Sequence, residues 1–181
     1  MPSQEYLKKC FKYNKKTGLL IWKKRPLSHF KNQHITDATN TRYTGKEAGS
    51  VFETKGEKRI MVWCGGKRFY AHRLIWKLVT GKEPNIEVDH KDRNPLNNSF
   101  DNLREASDHQ NSCNKKIRKD NRIGVKGVQQ RENGRYRAKI MSNGKETIIG
   151  TFDTKEEAGN AYINASKTDH KEFSIYEPSH A

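Results

Sequence analysis

Asp89 and His90 stand side by side, and Asn102 and Asn111 follow at offsets of 13 and 22 from Asp89, with Asp92, Asn94, Asn97, Asn98 and His109 among them. Carboxylate and amide oxygens are hard donors suited to Mg2+ or Mn2+, and a neutral imidazole beside them is a general base near neutral pH. That combination suits phosphodiester hydrolysis. The scissile phosphate repels nucleophiles because its oxygens are anionic; a divalent ion offsets that charge and stabilises the leaving 3′-oxygen, while the imidazole takes a proton from the attacking water. The same residues also make an Asx-rich surface turn, so their spacing leaves both readings open. The chemical reading carries three structural conditions. The backbone has to kink or bulge at Asp89 and His90, because neighbours on a flat strand point to opposite faces. Asp89 has to come close enough to Asn111 to share an ion, and His90 has to be reached by solvent.

The elements around these residues follow from pattern. A strand is expected at 86–88, then an Asn-rich loop, a second strand at 102–106, and a helix from about Asp108 into Asn114-Lys115-Lys116. Ser107 with Gln110 three positions on forms a capping box at its start. Ahead of this, Gly65-Gly66 joins two β-prone runs as a hairpin, and Leu74, Ile75, Leu78 and Val79 repeat at helical spacing up to Gly81. Lys115 to Ile123 is polar and basic with no apolar period, which marks a linker. The expected class is α+β, in four stretches: a β-rich, DNA-contacting region at 1–70, a central ββα core at 71–116, a basic linker at 117–123, and a C-terminal module at 124–181.

The net charge of +15 points to a polyanionic partner, and its distribution narrows the choice. Residues 1–80 carry 18 Lys/Arg against 5 Asp/Glu, so nearly all the excess lies there, with no long basic amphipathic helix. Nucleic acid is favoured over a membrane surface. Neither a membrane span nor an apolar signal segment is visible, so a soluble, intracellular protein is expected. The three cysteines, Cys10, Cys64 and Cys113, are scattered and form no C-x-x-C pair, which favours free buried thiols over a disulfide framework or a zinc ribbon. Trp22, Trp63 and Trp76 are expected in the core, because a chain with few large apolar side chains needs them there.

In the C-terminal module, Arg135, Arg137 and Lys139 alternate with Tyr136, Ala138 and Ile140, turning three cations to one face of a strand. Asn133-Gly134 and Asn143-Gly144 are hairpin signals, giving three antiparallel strands at roughly 125–131, 135–141 and 146–152. Thr154 and Glu157 form a capping box ahead of a helix with an Ala158, Ala161, Tyr162, Ala165 stripe. Residues 124–145 hold 6 basic and 1 acidic residue and residues 146–181 hold 3 and 7, so a cationic sheet face is expected opposite an acidic helix side. A three-stranded sheet of this kind can enter a major groove, although an ordinary solvated face would share the pattern.

The stretches Ala71-His72-Arg73-Leu74, Val88-Asp89-His90-Lys91-Asp92, Asn97-Asn98, Asp101-Asn102-Leu103-Arg104 and His109-Gln110-Asn111 resemble, in order, the HNH endonucleases with a ββα-metal site, of the phage and homing type. Gly124-Val125-Lys126-Gly127-Val128 and Ile149-Gly150-Thr151-Phe152-Asp153-Thr154, followed by the Ala-rich helix, resemble the plant ethylene-response-factor type of DNA-binding domain over residues 122–170. The resemblance implies that Asp89 and Asn111 bind Mg2+ or Mn2+, that His90 activates the water, and that Asn102 orients the His90 imidazole. His109 competes with Asn111 as the last ligand; at offset two on a helix only one of them can face the site. Arg73, Lys126, Gln129, Arg131, Arg135, Arg137 and Lys139 are the expected DNA contacts. The implied function is a divalent-metal-dependent endonuclease acting on double-stranded DNA, nicking as a monomer and using no organic cofactor. The alternative is a DNA-binding regulator with an inactive site.

Overall fold

The structure, a computed structural model, describes residues 1–54, 56–115, 117, 120–142 and 144–174. The chain is α+β and divides into two compact units, Met1–Glu105 and Ala106–Ala181. The division falls between Glu105 and Ala106, inside the stretch expected to form one central core. Among the described residues, no helix is long and apolar enough to cross a membrane.

The first unit opens with α1 (Gln4–Cys10), capped by the Ser3 hydroxyl, which accepts from the Tyr6 N–H. It buries Leu7 and Cys10 and leads directly into a hairpin of β1 (Phe11–Asn14) and β2 (Leu19–Trp22). A second helix, α2 (Gln33–Tyr43), is capped by Asn32. Neither helix is expected from sequence pattern: α1 has only two turns, and α2 buries only Thr36 and Asn40, so it carries no apolar stripe. A meander follows, β3 (Ser50–Thr54), β4 (Glu57–Cys64) and β5 (Lys67–Tyr70), antiparallel in that order. The Gly65-Gly66 turn joins the last two, as its residues require, with both φ positive.

Next comes α3 (Ala71–Thr80), ended by Gly81 in the left-handed region at φ 79°. It buries Ala71, His72, Leu74 and Ile75 in a core that also holds Leu7, Phe11, Leu20, Val62, Val88 and Leu103. The small sheet of β6 (Glu87–His90) and β7 (Leu103–Ala106) completes the unit, with the last residue of β7 opening the second. Trp22 is buried and Trp76 packs on the core, but Trp63 is 60% exposed, which corrects the expectation for that residue. It sits on the outer face of the meander, where the Arg68 guanidinium stacks 5.7 Å from its ring. All three cysteines are free and buried.

The second unit holds α4 (Asp108–Asn114), with the Ser107/Gln110 capping box formed from both sides. Its sheet is β8 (Val128–Gln130), β9 (Tyr136–Ser142) and β10 (Lys145–Phe152), antiparallel with β9 in the middle. Asn143, half of one expected hairpin turn, lies outside the described residues, as do Lys116, Arg118 and Lys119 of the expected linker. Helix α5 (Lys155–Asp169) starts at the Thr154/Glu157 capping box and buries Ala158, Tyr162 and Ile163 over the sheet. Gly127, at φ 72°, makes that packing possible: a Cβ there would sit 2.2 Å from the Tyr162 ring.

Candidate active site

β6 delivers Asp89 and His90 as its last two residues, and both are buried. The strand ends at His90 because the chain turns there, with the Arg93 N–H donating to the His90 carbonyl at 3.0 Å and Arg93 itself at φ 60°. The two adjacent side chains take different partners, and the turn follows His90 rather than falling between it and Asp89. Asp89 receives the Arg104 guanidinium from β7, Nε at 3.1 Å and Nη2 at 3.0 Å, both on Oδ2. The two side chains are about equally buried, so removing Arg104 would take a buried charged partner from Asp89, at a cost of about 3–5 kcal/mol. A buried carboxylate oriented in this way is a hard oxygen donor of the kind Mg2+ or Mn2+ takes, and the donor chemistry fits such an ion.

His90 points to Asn98, with Nε2 3.0 Å from the Asn98 Oδ1. An amide oxygen only accepts, so the proton sits on Nε2 and the lone pair on Nδ1. Burial pushes the His90 pKa below the ordinary histidine range; the Asn98 bond and the Asp89 and Asp92 charges act against this, and Arg59 adds to it. His90 is only 6% exposed, which bears against the condition that solvent reach it. The His72 ring, on α3, meets His90 edge-on at 5.1 Å and stacks on Tyr70 at 5.4 Å. Burial, followed by His90, Arg59 and Arg73, lowers the His72 pKa to about 3, so it stays neutral at physiological pH. Arg73 is half-buried one residue on.

Asn102 is not hydrogen-bonded to His90. Its Oδ1 accepts from the Asp92 N–H at 3.0 Å, and its Nδ2 donates to Asp92 Oδ1 at 2.9 Å and to the Asn97 carbonyl at 2.8 Å. It therefore ties down the loop that carries Asn98, and its effect on His90 passes through that loop. Burial alone would raise the Asp92 carboxyl pKa, but bonds from the Asn94 N–H and the Asn97 and Asn102 amides hold it below the ordinary range. Asn98 is 1% exposed and held from behind: the Tyr13 hydroxyl donates to its carbonyl at 2.9 Å, and Gly18 packs on its backbone.

In the second unit, Asn111 is half-buried on α4. His109, its competitor, is turned to Cys113, Nε2 to Sγ 3.7 Å, and to the ring of His170. The expected DNA contacts on the sheet differ among themselves. Lys126 is not on the sheet face: its ammonium caps the end of α4, donating to the carbonyls of Ser112 at 3.1 Å, Cys113 at 2.7 Å and Lys115 at 3.2 Å. Arg135 pairs with Asp153 at 2.7 Å and Lys139 with Glu146 at 2.9 Å. The acids of 146–181 thus do not all lie on the helix side; two of them flank the cations. Arg137 sits between these pairs with its buried Nε lacking a hydrogen-bond partner, opposite Gln129, and both Gln129 and Arg131 are exposed.

Sequence reasoning placed Asn98 in the cluster and Arg104 in the matching motifs without giving either a role, and did not single out Arg59, Cys113 or His170 as site members. The i, i+4 spacing of His109 and Cys113 was readable as one helix face, whereas Asn98 lies in an aperiodic loop and His170 is remote in sequence.

Residues 69–113 match the family described as HNH endonuclease. A protein of Acanthamoeba polyphaga mimivirus described as an uncharacterized HNH endonuclease is 40% identical over 93 residues, covering 50% of this chain and 48% of that protein. Protein 3.8 of Escherichia phage T7 is 37% identical over 96 residues, covering 50% of this chain and 79% of its own length. The chain thus spans about half the length of the mimivirus relative. No solved structure matches the chain.

Proposed function

The chain belongs to the HNH endonuclease family, and we propose that it is a metal-dependent DNA endonuclease of the phage or homing type that hydrolyses phosphodiester bonds and nicks one strand as a monomer. The observation that carries this reading is the His90 imidazole, held by Asn98 through Nε2 and kept neutral by burial, so that Nδ1 can take a proton from water. Asp89 is one ligand for Mg2+ or Mn2+; the matching role of Asn111 rests on the family resemblance alone. Such an ion, when bound, offsets the charge of the phosphate oxygens and of the leaving 3′-oxygen. His90 supplies the base, Asn98 fixes its tautomer, Asn102 fixes the loop holding Asn98, and Arg104 fixes the Asp89 carboxylate.

We propose further that the second unit's sheet is a DNA reader of the ethylene-response-factor type. Its candidates are Gln129, Arg131, Arg135, Arg137 and Lys139, and Arg73 of the first unit is a candidate phosphate contact. The ion pairs of Arg135 and Lys139 are half-exposed and worth little, so phosphates can displace the carboxylates. Lys126, committed to the end of α4, leaves this set.

Incubating the full chain with supercoiled plasmid tests the reading: open-circular product should form with Mg2+ or Mn2+ and not with chelator. The second reading, a DNA-binding regulator that does not cut, draws on the 6% exposure of His90 and is favoured if DNA is bound and never nicked with either ion.

A further inference from the structure

Within the second unit, His109 and Cys113 stand four residues apart on one face of α4, and His170 follows the last residue of α5. We propose that these three side chains form a binding site for a borderline-soft divalent cation of the Zn2+ class, separate from the nuclease metal. One ligand atom from each lies within 4.8 Å of the other two. Zinc–sulfur and zinc–nitrogen bonds of about 2.0–2.3 Å at tetrahedral angles put ligand atoms roughly 3.4–3.8 Å apart. The Cys113 Sγ to His109 Nε2 distance of 3.7 Å is already at that spacing, and the third ligand needs at most about an ångström of closure.

The ligand set selects the ion. One sulfur and two imidazoles favour zinc over Mg2+, which takes oxygen. The outer contacts also suit a metal. His170 Nε2 donates to the Met141 carbonyl at 2.9 Å, which leaves the lone pair on Nδ1, the usual arrangement for a ligating histidine. Burial raises the Cys113 thiol pKa, and the Lys126 ammonium, 2.7 Å from the Cys113 carbonyl, acts against that rise. Ala106 and Phe173 pack with Cys113 and hold this end of α4 against the segment after α5. A water completes the tetrahedron. The ion joins two segments that the chain otherwise brings together through few apolar side chains, and it fixes the helix that carries Asn111. This site stands on the second unit alone and holds whether or not the chain cleaves DNA.

The test is a titration of the chelator-stripped full chain with Co2+, followed by competition with Zn2+. A sulfur-to-cobalt charge-transfer band should saturate at one equivalent; Cys113→Ser should lose the band, and His170→Gln should weaken the binding that the band reports at least tenfold. Asn111→Ala should keep the charge-transfer band, which separates this site from the nuclease metal. Circular dichroism checks that each variant folds, and where one does not, the wild-type titration decides. Absence of a band that saturates at one equivalent, or a band that survives in folded Cys113→Ser and so belongs to Cys10 or Cys64, overturns the proposal.

Discussion

The His90 Nε2 lies 3.0 Å from the Asn98 Oδ1, and that bond decides which ring nitrogen is the base. Asn98→Ala removes the acceptor and should lower kcat for nicking by roughly 10- to 100-fold, the usual loss when a partner that orients a histidine is deleted. KM for DNA should change little. Because the bond also raises the His90 pKa, the variant's acid limb should move to lower pH, a shift that a purely structural defect would not produce. An unchanged pH profile with full activity would remove Asn98 from the account.

The pH dependence of the wild type follows from the same group. A general base works in its neutral form, so kcat/KM rises with pH through the His90 pKa and levels above it. Burial and Arg59 push that pKa down, so the acid limb should fall below the ordinary histidine range and activity should be flat across neutral pH. A profile that still climbs steeply above pH about 7 would point to a different base.

Gly18 supports Asn98 from the first hairpin. Its φ is 72°, and a Cβ there would meet the Asn98 carbonyl carbon and the Ser99 nitrogen at 2.4 Å. Gly18→Ala should therefore cost at least about 1–3 kcal/mol and slow nicking more than DNA binding. Thermal melting and a nicking time course measure the two effects; a variant matching the wild type in both would show that the hairpin does not bear on the site.

Much of the second unit is legible from sequence because its signals are local: alternation in 135–140, capping boxes at Ser107 and Thr154, and glycine-bearing turns. The pairing of β8 to β10 and the start of α5 follow from them. The first unit is harder. α1 and α2 have too few buried residues to show a period, and Trp63 looks like core but lies on an outer face. At the site, the sequence locates Asp89 and His90, yet the partners depend on a loop closed by side-chain amides. Asn102 and Asn98 are the same residue type four positions apart, and only the path of that loop decides which one reaches the imidazole. The acids beside Arg135 and Lys139 were hidden for a similar reason, since cross-strand register rather than sequence distance brings them together.

Arg137 separates sheet reading from general basicity. Between two cations paired to acids, its Nε has no hydrogen-bond partner, which makes it a candidate to meet a base edge. Arg137→Ala should weaken binding to a preferred sequence by roughly tenfold or more, and binding to unrelated DNA by much less. Gel-shift titrations on both DNAs read the difference; equal losses on the two would reduce Arg137 to a phosphate contact.

The central claim is tested most directly by comparing His90→Ala with the wild type in two measurements on the same plasmid: nicking with Mg2+ or Mn2+, and affinity in the presence of chelator. The account predicts that the substitution abolishes nicking while affinity stays within about twofold, because the imidazole moves a proton and does not hold the duplex. A His90→Ala protein that nicks at the wild-type rate, or a wild type that binds DNA and never nicks it with either ion, would contradict it.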